Sequence, residues 1–496
     1  MTSLLTIRNG TAAPLRTIPI LGAVEFAEAV VGAPARGRRV ASLFALPWGT
    51  SRAPHLAVVL AHDDAGVLEC GVTEIVGHRF ASMTESCPEV HLFEREIAEN
   101  WSVVPEGHPW LKPVRRWQTP NDTTTAEFFQ MAGDEIHEVA VGPVHAGVIE
   151  PGHFRFQCHG EHVFHLEIAL GYQHRGIEGA LVGGPKKRTI HQIETLAGDT
   201  TIGHAIAYCQ LIEALIEEPA TARGRTLRAI ALELERLANH VGDLGALAGD
   251  VGFLPTASFC GRLRGDLLNM TALLSGNRFG RGLVRPTGVA LDCEPARGQM
   301  LLERLHAAAR DIEDAVSLLW TSPSVMSRFE EVGRVTTATA RSLGLVGPAA
   351  RASGLARDVR AHHAGDFFGA SPFDLVTNEA GDVFSRAYVR WLETRWALDF
   401  VRARLLGLPD GPIRARENVP STLGASLFAV SLVEGWRGEI CHVAATDDGG
   451  RFLAYKVVDP SFHNWMGLQM ALRDQQISDF PLCNKSFNLS YCGHDL

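Results

Sequence analysis

The stretch Leu489-Ser-Tyr-Cys-Gly-His-Asp-Leu496 is the part of this 496-residue chain that says most about its fold and function. It holds one of nine cysteines, which are scattered along the chain and form no C-x-x-C pair. The sequence therefore predicts neither a disulfide framework nor a zinc ribbon, and reduced thiols in the core are expected instead.

The C-terminal stretch resembles the end of a [NiFe]-hydrogenase large subunit, where a relaxed form of the family motif reads E-L-C-Y-A-C-T-D-R. In the matching register, Ser490 and Gly493 stand where the family has its two metal-binding cysteines. Cys492 falls one position short of the second, and Cys483 lies well upstream. The resemblance thus extends to the frame of the motif and not to its ligands.

A second segment, Glu194-Thr-Leu-Ala-Gly-Asp-Thr-Thr-Ile-Gly-His204, matches the N-terminal hydrogenase motif E-R-x-C-G-x-C-x-x-x-H. Its glutamate, first glycine and histidine are in place, while Ala197 and Thr200 occupy the cysteine positions. Together with Ser490 and Gly493, these make up the four ligand positions of the family. A nickel–iron centre needs soft thiolate ligands. The resemblance therefore implies a hydrogenase-like chain that holds no such metal centre.

The N-terminal part resembles a different family. His91-Leu-Phe-Glu-Arg-Glu-Ile97 and Glu106-Gly-His-Pro-Trp-Leu-Lys-Pro113 match the signature of the 30 kDa subunit of respiratory complex I. Fusion of such a domain to a hydrogenase-like domain is characteristic of the large subunits of group 4 membrane-bound hydrogenases, of the formate hydrogenlyase and hydrogenase-4 type, and resembles energy-converting hydrogenase-related complexes. Further blocks match that family in order along the chain: Gly142–His145, Glu150–Arg155, Tyr172–Glu178, Leu232–Leu247, Arg281–Gly288, Glu434–Glu439 and His463–Trp465.

These resemblances predict an α+β N-terminal domain followed by a mainly α, hydrogenase-large-subunit-like domain, a helical bundle with small antiparallel β-sheets. The expected boundaries are residues 1–117 for the complex I 30 kDa subunit-like domain and 118–135 for a linker. Residues 136–496 are expected to form the domain that resembles the hydrogenase large subunit and the complex I 49 kDa subunit. The linker is predicted because the stretch after Trp117 is polar and carries Pro120.

The spacing of apolar residues agrees with the fold predicted for each half of the chain. Alternating apolar runs at 39–46 and 55–60 predict strands, and Val90–Trp101 has apolar residues at helical spacing. In the second half, the alternating region 136–175 predicts a small antiparallel sheet, and Asp447-Asp-Gly-Gly450 predicts a hairpin turn. Long segments with apolar residues at helical spacing predict the helices of the bundle: 199–219, 226–249, 259–276, 297–319 and 382–406.

The net charge of −10 and the lack of a long polybasic run argue against nucleic-acid binding. The N-terminus has neither the basic leader nor the apolar stretch of a secretory signal. A membrane helix needs about 20 apolar residues. The best candidate, 423–433, is shorter than this and includes two serines. A role at a membrane would therefore need other chains.

The resemblance also selects candidate site residues. In hydrogenases a glutamate near the first strand of the domain relays protons to the metal, and Glu150 matches it. His153 and His204 are further candidates for a proton relay, and His145 and His174 are expected to line the cavity. Carboxyl and imidazole groups suit proton transfer because their surroundings move the pKa toward neutrality. The alternative is a structural role: pairing or capping for Glu150, and a hydrogen-bonded framework for His153, His174 and His204.

In complex I the homologous cavity has also lost its metal and binds a quinone head group through a histidine and a tyrosine. His145 and His153 lie near the position of that histidine, but no tyrosine occurs between Thr189 and Ala207. The resemblance therefore leaves a quinone acceptor open, and no cofactor is expected to be bound by this chain itself.

The expected function is that of a metal-free, hydrogenase-like large subunit at the acceptor or coupling site of a membrane-bound, ion-translocating, complex I-like oxidoreductase. The family's partners are an iron–sulfur small subunit, a ferredoxin-like iron–sulfur subunit and antiporter-like membrane subunits, with this chain peripheral on the cytoplasmic side of the inner membrane. The alternative is a non-catalytic scaffold that joins the iron–sulfur subunit to the membrane arm. An active [NiFe] hydrogenase is disfavoured by the four ligand positions and by a C-terminus at the point where maturation proteases normally cut.

Overall fold

A computed structural model gives the fold of the chain. It describes residues 4–49, 51–115, 127–145, 149–363, 373, 375–417, 420 and 422–496. The predicted linker lies outside the described residues as far as 126, and its remainder, 127–135, contains neither helix nor strand.

The N-terminal part is a sheet with two helices. Strands β1, β6, β5 and β4 are antiparallel neighbours, and β3 pairs in parallel with β6. The strands predicted at 39–46 and 55–60 are confirmed as β4 and β5, and the predicted helix is α2. In chain order the elements are β1 (Leu5–Ile7), β2 (Thr11–Pro14), β3 (Ile20–Leu21), α1 (Ala23–Val31), β4 (Arg39–Trp48), β5 (Ala53–His62), β6 (Val67–Glu74), β7 (Arg79–Ala81), α2 (His91–Trp101) and β8 (Val104–Glu106).

The second part combines long helices with small antiparallel sheets, one of which is the two-stranded β12-β13. One sheet has the order β11-β10-β9, as predicted for the region 136–175, and β15 and β16 form the predicted hairpin. The elements are β9 (Ile136–Val141), β10 (His153–His159), β11 (His162–Ala169), α3 (Ile177–Leu181), α4 (Thr189–Ile193), α5 (Thr201–Leu215), α6 (Ala222–Asp250), α7 (Leu254–Ser275), β12 (Val284–Arg285), β13 (Gly288–Val289), α8 (Pro295–Thr321), α9 (Pro323–Phe329), α10 (Thr337–Ser342), α11 (Gly347–Arg351), α12 (Val359–His362), α13 (Val383–Leu406), β14 (Leu427–Gly435), β15 (Gly438–Thr446), β16 (Phe452–Val458), α14 (Pro460–Ala471), α15 (Phe480–Phe487) and α16 (Tyr491–His494).

The five predicted bundle helices are α5, α6, α7, α8 and α13. Helix α6 contacts α5, α7, α8 and α13, and this central position explains why it is buried along most of its length. Helices α6 and α13 begin where a side chain accepts a hydrogen bond from the first free N–H groups, Thr221 for α6 and Asp382 for α13. None of the helices in the described ranges combines the length and the apolar character that a membrane span requires.

The sheet β16-β15-β14-β2 joins the two parts of the chain. Strand β2 comes from the N-terminal part and pairs antiparallel with β14, with Thr11 opposite Val430. One face of this sheet packs against α5. The other face contributes Phe428, Val430 and Val443 to the apolar core of the N-terminal part. The N-terminal part therefore completes its core with residues of the second part, which the sequence did not predict.

Candidate functional site

The two hydrogenase-like motifs meet in the structure. The N-terminal motif runs from the end of α4 into the first turn of α5, and the C-terminal motif forms α16 and the residue before it. The backbone N–H of Gly198 faces the thiol of Cys492 across this contact. The tertiary fold therefore assembles one site from segments at opposite ends of the second part.

Arg437, in the turn between β14 and β15, ties the two motifs together. Its Nη1 and Nη2 donate to the two carboxylate oxygens of Asp199 at 2.6 and 2.8 Å, and its Nε donates to the carbonyl of Asn488. Nη1 also lies 3.3 Å from the Thr200 hydroxyl, and the guanidinium stacks 3.9 Å above the Trp436 ring. A planar guanidinium holds a carboxylate in one orientation. One side chain therefore links both ends of the site.

The charges around Arg437 favour two ionised acids. Burial would raise the pKa of Asp199, but the Arg437 guanidinium and its hydrogen bonds lower that pKa below its ordinary value. Burial would also raise the pKa of Asp459, but the hydrogen bond and charge of His204, followed by Arg437, lower it. Both carboxylates are therefore negatively charged at neutral pH, and Arg437 supplies the counter-charge.

The side chains at the four ligand positions do not fit a nickel–iron centre. Ala197 supplies only a methyl group, and the Thr200 hydroxyl already accepts a hydrogen bond from the indole N–H of Trp436 at 3.1 Å. The Ser490 hydroxyl accepts from the backbone N–H of Gly493 at 2.9 Å. None of them offers the thiolate that this centre requires.

Gly493 itself is packed against Asp459. A Cβ atom built on this glycine would lie 2.6–2.8 Å from the carboxylate atoms of Asp459. The carboxylate therefore fills the space that a cysteine side chain would need. Across the part of the chain that the structure describes, His, Cys, Asp and Glu side chains form no group of three that could hold a metal ion.

The two nearby cysteines do not replace the missing ligands. Burial and then the charge of Glu150 raise the pKa of the Cys492 thiol to about 11, so it is protonated at neutral pH. Its sulfur lies 3.4 Å from the Ser490 hydroxyl and belongs to no group of three metal-binding side chains among the described residues. Cys483 is buried in α15 beside Arg386, and burial raises its pKa to about 12. Neither cysteine therefore presents a thiolate to the site.

Glu150 lies where the loop between β9 and β10 meets α16. Its two carboxylate oxygens accept hydrogen bonds from the backbone N–H groups of Cys492 and Tyr491 at 3.3 and 3.4 Å. These N–H groups lie at a helix N-terminus and have no partner inside the helix. Glu150 thus caps α16 and remains partly exposed at the edge of the site. The position is compatible with both predicted roles, proton relay and capping.

His204 belongs to a buried chain of four hydrogen-bonded side chains. Its Nε2 lies 3.1 Å from Asp459 Oδ2, and its Nδ1 lies 3.0 Å from His442 Nε2. The Nδ1 of His442 lies 2.8 Å from the Tyr455 hydroxyl. Burial and then the charge of His204 lower the pKa of His442 well below its ordinary value, so this second imidazole is neutral. The first imidazole is therefore held between an anion and a neutral ring.

This row of four hydrogen-bonded side chains can hold one additional proton. With a neutral His204, its Nε2–H donates to Asp459, its Nδ1 accepts from His442, and the Nδ1 of His442 accepts from Tyr455. When both nitrogens of His204 carry a proton, His442 can accept through Nε2 and donate through Nδ1 to the tyrosine oxygen. Every hydrogen bond survives this change, because a neutral imidazole donates through one nitrogen and accepts through the other.

His145 and His153 hold the loop between β9 and β10. Nδ1 of His153 lies 3.0 Å from the carbonyl of Gly142, so it carries the proton, and its Nε2 accepts from Arg155 at 3.2 Å. Nε2 of His145 donates to the carbonyl of Gly152 at 3.1 Å. Both ring nitrogens of His153 are thus engaged within the loop, which is the arrangement expected of a framework residue.

His174 lies apart from the other candidates. It stands between β11 and α3 and lines a cavity whose walls include neither Glu150 nor His204. The structure therefore brings Glu150 and His204 to the two motifs, places His145 in the adjoining loop and His153 at the start of β10, and leaves His174 at a different location.

Sequence reasoning missed five polar residues of the site: Arg437, Asp199, Asp459, His442 and Tyr455. Arg437 was quoted only as part of a matching block. Asp459 carries a local signal, because an aspartate before a proline at the start of an apolar run marks a helix N-cap. His442 in β15 and Tyr455 in β16 carry no such signal, since the hydrogen bond between them depends on the register of the two strands.

Comparison with known proteins identifies the family. Formate hydrogenlyase subunit 5 of Escherichia coli is 30% identical over 441 residues, which cover 83% of this chain and 76% of that protein. The chain belongs to the family of large subunits that group 4 hydrogenases and complex I share. The carbon monoxide-induced hydrogenase of Rhodospirillum rubrum is 31% identical over 359 residues, which cover 71% of this chain and 97% of that protein.

The complex I side of this large-subunit family is represented as well. The family described as "Respiratory-chain NADH dehydrogenase, 49 Kd subunit" matches residues 250–426. NADH-quinone oxidoreductase subunit 4 of Thermus thermophilus is 27% identical over 369 residues, 70% of this chain and 90% of that protein. The resemblance predicted from the motifs is thus confirmed: the chain is a hydrogenase-like, complex I-like member of an oxidoreductase family whose relatives are named as subunits.

Proposed function

We propose that this chain is the large subunit of a membrane-associated, ion-translocating, complex I-like oxidoreductase and works at its acceptor or coupling site without a metal centre. The observation that carries the proposal is the set of contacts that Arg437 makes. It joins the two family motifs through Asp199 and Asn488, although the four ligand positions supply no thiolate. Ion pairs and hydrogen bonds thus maintain an arrangement that a metal centre maintains in hydrogenases.

The proposed partner at this site is an iron–sulfur small subunit. Gly198 is exposed and Glu150 and Cys492 are partly exposed, so the site reaches the surface. Nearby in the β9–β10 loop, Val144 and Ile149 are 90% and 59% exposed. Apolar surface around a polar site is typical of a contact with another protein. A ferredoxin-like iron–sulfur subunit would deliver electrons, and antiporter-like membrane subunits would hold the complex on the cytoplasmic side of the inner membrane.

The chemistry proposed for this chain is proton transfer. A quinone that receives electrons from an iron–sulfur cluster also takes up protons, and Glu150 at the edge of the site is the proposed donor. His204 is proposed to take up and hold a proton beside the negative charge of Asp459. Each transfer changes the local charge by one unit in a poorly screened interior. That change is the proposed signal to the membrane subunits, in the manner of a local switch with a distant effect.

A scaffold without redox chemistry is the second candidate. It is favoured by the packing of Gly493 against Asp459 and by the complete hydrogen bonding of Thr200 and Ser490. Under this alternative the polar network replaces the metal as a structural support, and Glu150 acts only as the cap of α16.

Metal analysis tests the absence of a nickel–iron centre. The purified complex is assayed for nickel and iron per chain and for hydrogen uptake with an artificial dye. The proposal predicts iron from the partner subunits, no nickel and no hydrogen uptake. About one nickel per chain together with hydrogen uptake would contradict it and would mean that the four ligand positions had been wrongly assigned.

Substitution of Glu150 separates the two candidate functions. In the acceptor-site proposal, Glu150→Gln lowers the rate of acceptor reduction by the assembled complex by about 10²-fold, the scale of a lost general acid. Glu161→Gln, in the exposed turn between β10 and β11, is the matched control and leaves the rate unchanged. An assembled Glu150→Gln complex with the full rate would favour the scaffold.

A further inference from the structure

A cavity lies between the two parts of the chain, and Tyr455 and Leu496 of the site described above are among the residues that line it. Its volume is about 490 Å³, and α2 and β4 of the N-terminal part face α3 and β16 of the second part across it. Cavities that hold small organic molecules have about 300–1,000 Å³. His174, which the resemblance predicted to line the cavity at the vacant metal site, lies in this wall instead.

Lys456 provides a buried hydrogen-bond donor in this cavity. It is 4% exposed, and its ammonium group donates to Glu96 Oε2 at 2.6 Å and to Glu178 Oε1 at 3.0 Å. An ammonium group has three N–H donors. Among the described residues no acceptor meets the third, so this N–H is available to a molecule in the cavity.

His174 adds a second polar group without a partner. Its Nδ1 is buried, and no described residue forms a hydrogen bond with it. A buried ring nitrogen that stays unpaired costs free energy of about 1–3 kcal/mol. The accessible surface of this Nδ1 is close to zero, so Lys456 is the polar donor that the wall presents to a ligand, and His174 lies beside it.

The charges of the wall are balanced. Lys456 and Arg52 carry positive charge, and Glu96 and Glu178 carry negative charge. A charged ligand would find no unpaired charge of opposite sign in the wall. Burying a charge without a counter-charge is costly. The balance of charge therefore favours an uncharged ligand.

The remaining walls are apolar. Phe44, Ile97, Trp101, Val182 and Leu453 all line the cavity. Trp101 and Val182 are 36% and 45% exposed. Burial of apolar surface against such walls favours binding by about 25 cal/mol per Å². The body of the ligand is therefore expected to be hydrocarbon.

We propose that this cavity binds an uncharged, mainly apolar molecule that carries a carbonyl oxygen, which accepts the free N–H of Lys456 while His174 lies beside it. The chemistry is shared by quinone head groups and by neutral acyl esters. The proposal does not depend on the proposed function, because its donor, Lys456, belongs to neither motif, and the cavity shares Tyr455 and the terminal Leu496 with the site described above.

Equilibrium dialysis against the purified full-length protein in its complex tests the proposal with three radiolabelled probes. Methyl decanoate represents neutral acyl esters, and 2,3-dimethoxy-5-methyl-1,4-benzoquinone represents quinone head groups. Decanoate has the same acyl chain as the ester but carries a negative charge. We expect saturable binding of at least one neutral probe, about tenfold or more tighter than decanoate, because burying an unpaired charge is costly. Tighter binding of decanoate, or no saturable binding of any probe, overturns the proposal.

A space-filling variant locates the binding. Gly179 lines the cavity in α3, and a Cβ there meets no atom within 4 Å, so Gly179→Phe can place a bulky side chain at the cavity wall. Gly261 in α7 is an equally open, exposed helical glycine outside the cavity, and Gly261→Phe is the matched control. Binding of the neutral probe should weaken by about tenfold or more in Gly179→Phe and stay unchanged in Gly261→Phe. Equal affinity in the two variants, both with the melting temperature of the natural protein, places the ligand elsewhere and overturns the proposal.

Discussion

At the scale of single residues, the site replaces metal ligation with a guanidinium. Arg437 makes contacts to both motifs at once, and no other positive side chain could reproduce them. Lysine lacks the planar fork that binds both oxygens of Asp199 while a third N–H reaches Asn488. The integrity of the site is therefore expected to depend on the shape of this residue as well as on its charge.

Arg437→Lys is predicted to destabilise the protein by about 2 kcal/mol, because lysine keeps the charge but loses hydrogen bonds to Asp199 and Asn488. The C-terminal segment 488–496 should exchange its amide hydrogens faster, since its link to Asp199 is lost. Hydrogen-exchange mass spectrometry and denaturant unfolding measure both effects. Arg262→Lys alters an exposed ion pair on α7 and is the control, with an expected change below about 1 kcal/mol. Equal effects of the two substitutions would contradict the proposed role of Arg437.

The second prediction at this scale concerns Cys492. Burial contributes most to raising the pKa of this thiol to about 11, and the charge of Glu150 adds to it. Glu150→Gln removes that charge, so the thiol should ionise at lower pH. The rate of alkylation of Cys492 near neutral pH, followed by mass spectrometry, should rise several-fold. An unchanged or slower rate would mean that the carboxylate does not face the sulfur.

At the scale of elements, the start of α5 is stabilised by a residue of another helix. Glu235 of α6 accepts hydrogen bonds from the backbone N–H groups of Ile202 and Gly203 at 2.7 and 3.1 Å. These groups belong to the first turn of α5, where a helix leaves N–H groups without partners. The contact fixes α5, and with it His204, against the central helix of the bundle.

Glu235→Gln is predicted to change the pH dependence of stability. Burial contributes most to raising the pKa of Glu235 from 4.5 to about 8 in the fold. A raised carboxyl pKa favours the folded state most below pH 4.5, and this contribution is lost as pH rises toward about 8. The unfolding free energy of the natural protein minus that of Glu235→Gln should therefore fall between these pH values and then stay level. A difference that is constant with pH would show that Glu235 is ionised in the folded state.

The predicted elements differ from the observed ones mainly at their ends. The helix expected at 226–249 is α6, Ala222–Asp250, because Thr221 supplies a cap that periodicity does not reveal. The helix expected at 199–219 begins at Thr201 instead, since the motif segment before it is used to contact Arg437. Apolar spacing therefore predicts which segments are helical, while caps and tertiary contacts decide where each helix begins.

At the scale of the whole molecule, an ion cluster and a shared sheet join the two parts of the chain. Glu96 of α2 contacts Lys456 of β16 at 2.6 Å and also pairs with Arg115. Burial would raise the pKa of Glu96, but these two cations lower it to about 2. The cluster is thus fully ionised at neutral pH and lies directly beside the apolar core that both parts share.

Glu96→Gln is predicted to destabilise the protein by about 3 kcal/mol at neutral pH, because Lys456 and Arg115 lose a buried counter-charge. The pKa of Glu96 is lowered from 4.5 to about 2, so its stabilising effect is present above pH 4.5 and is lost as pH falls toward 2. The difference in unfolding free energy between the natural protein and Glu96→Gln should accordingly shrink only in that acidic range. Glu106→Gln, in the exposed pair with Arg79, is the control and should have little effect. A difference that already shrinks between neutral pH and 4.5 would contradict the low pKa.

The sequence by itself determined the family, the two motifs with their four ligand positions, and the long helices, because spacing and local periodicity survive without knowledge of the fold. Only the tertiary structure decided that Arg437 joins the motifs, that Asp459 and His442 flank His204, and that His174 faces a different cavity. Contacts of this kind depend on strand register and on packing between distant segments. A side chain's partner across a fold is not encoded in the residues next to it, so these contacts could be seen only after the chain was folded.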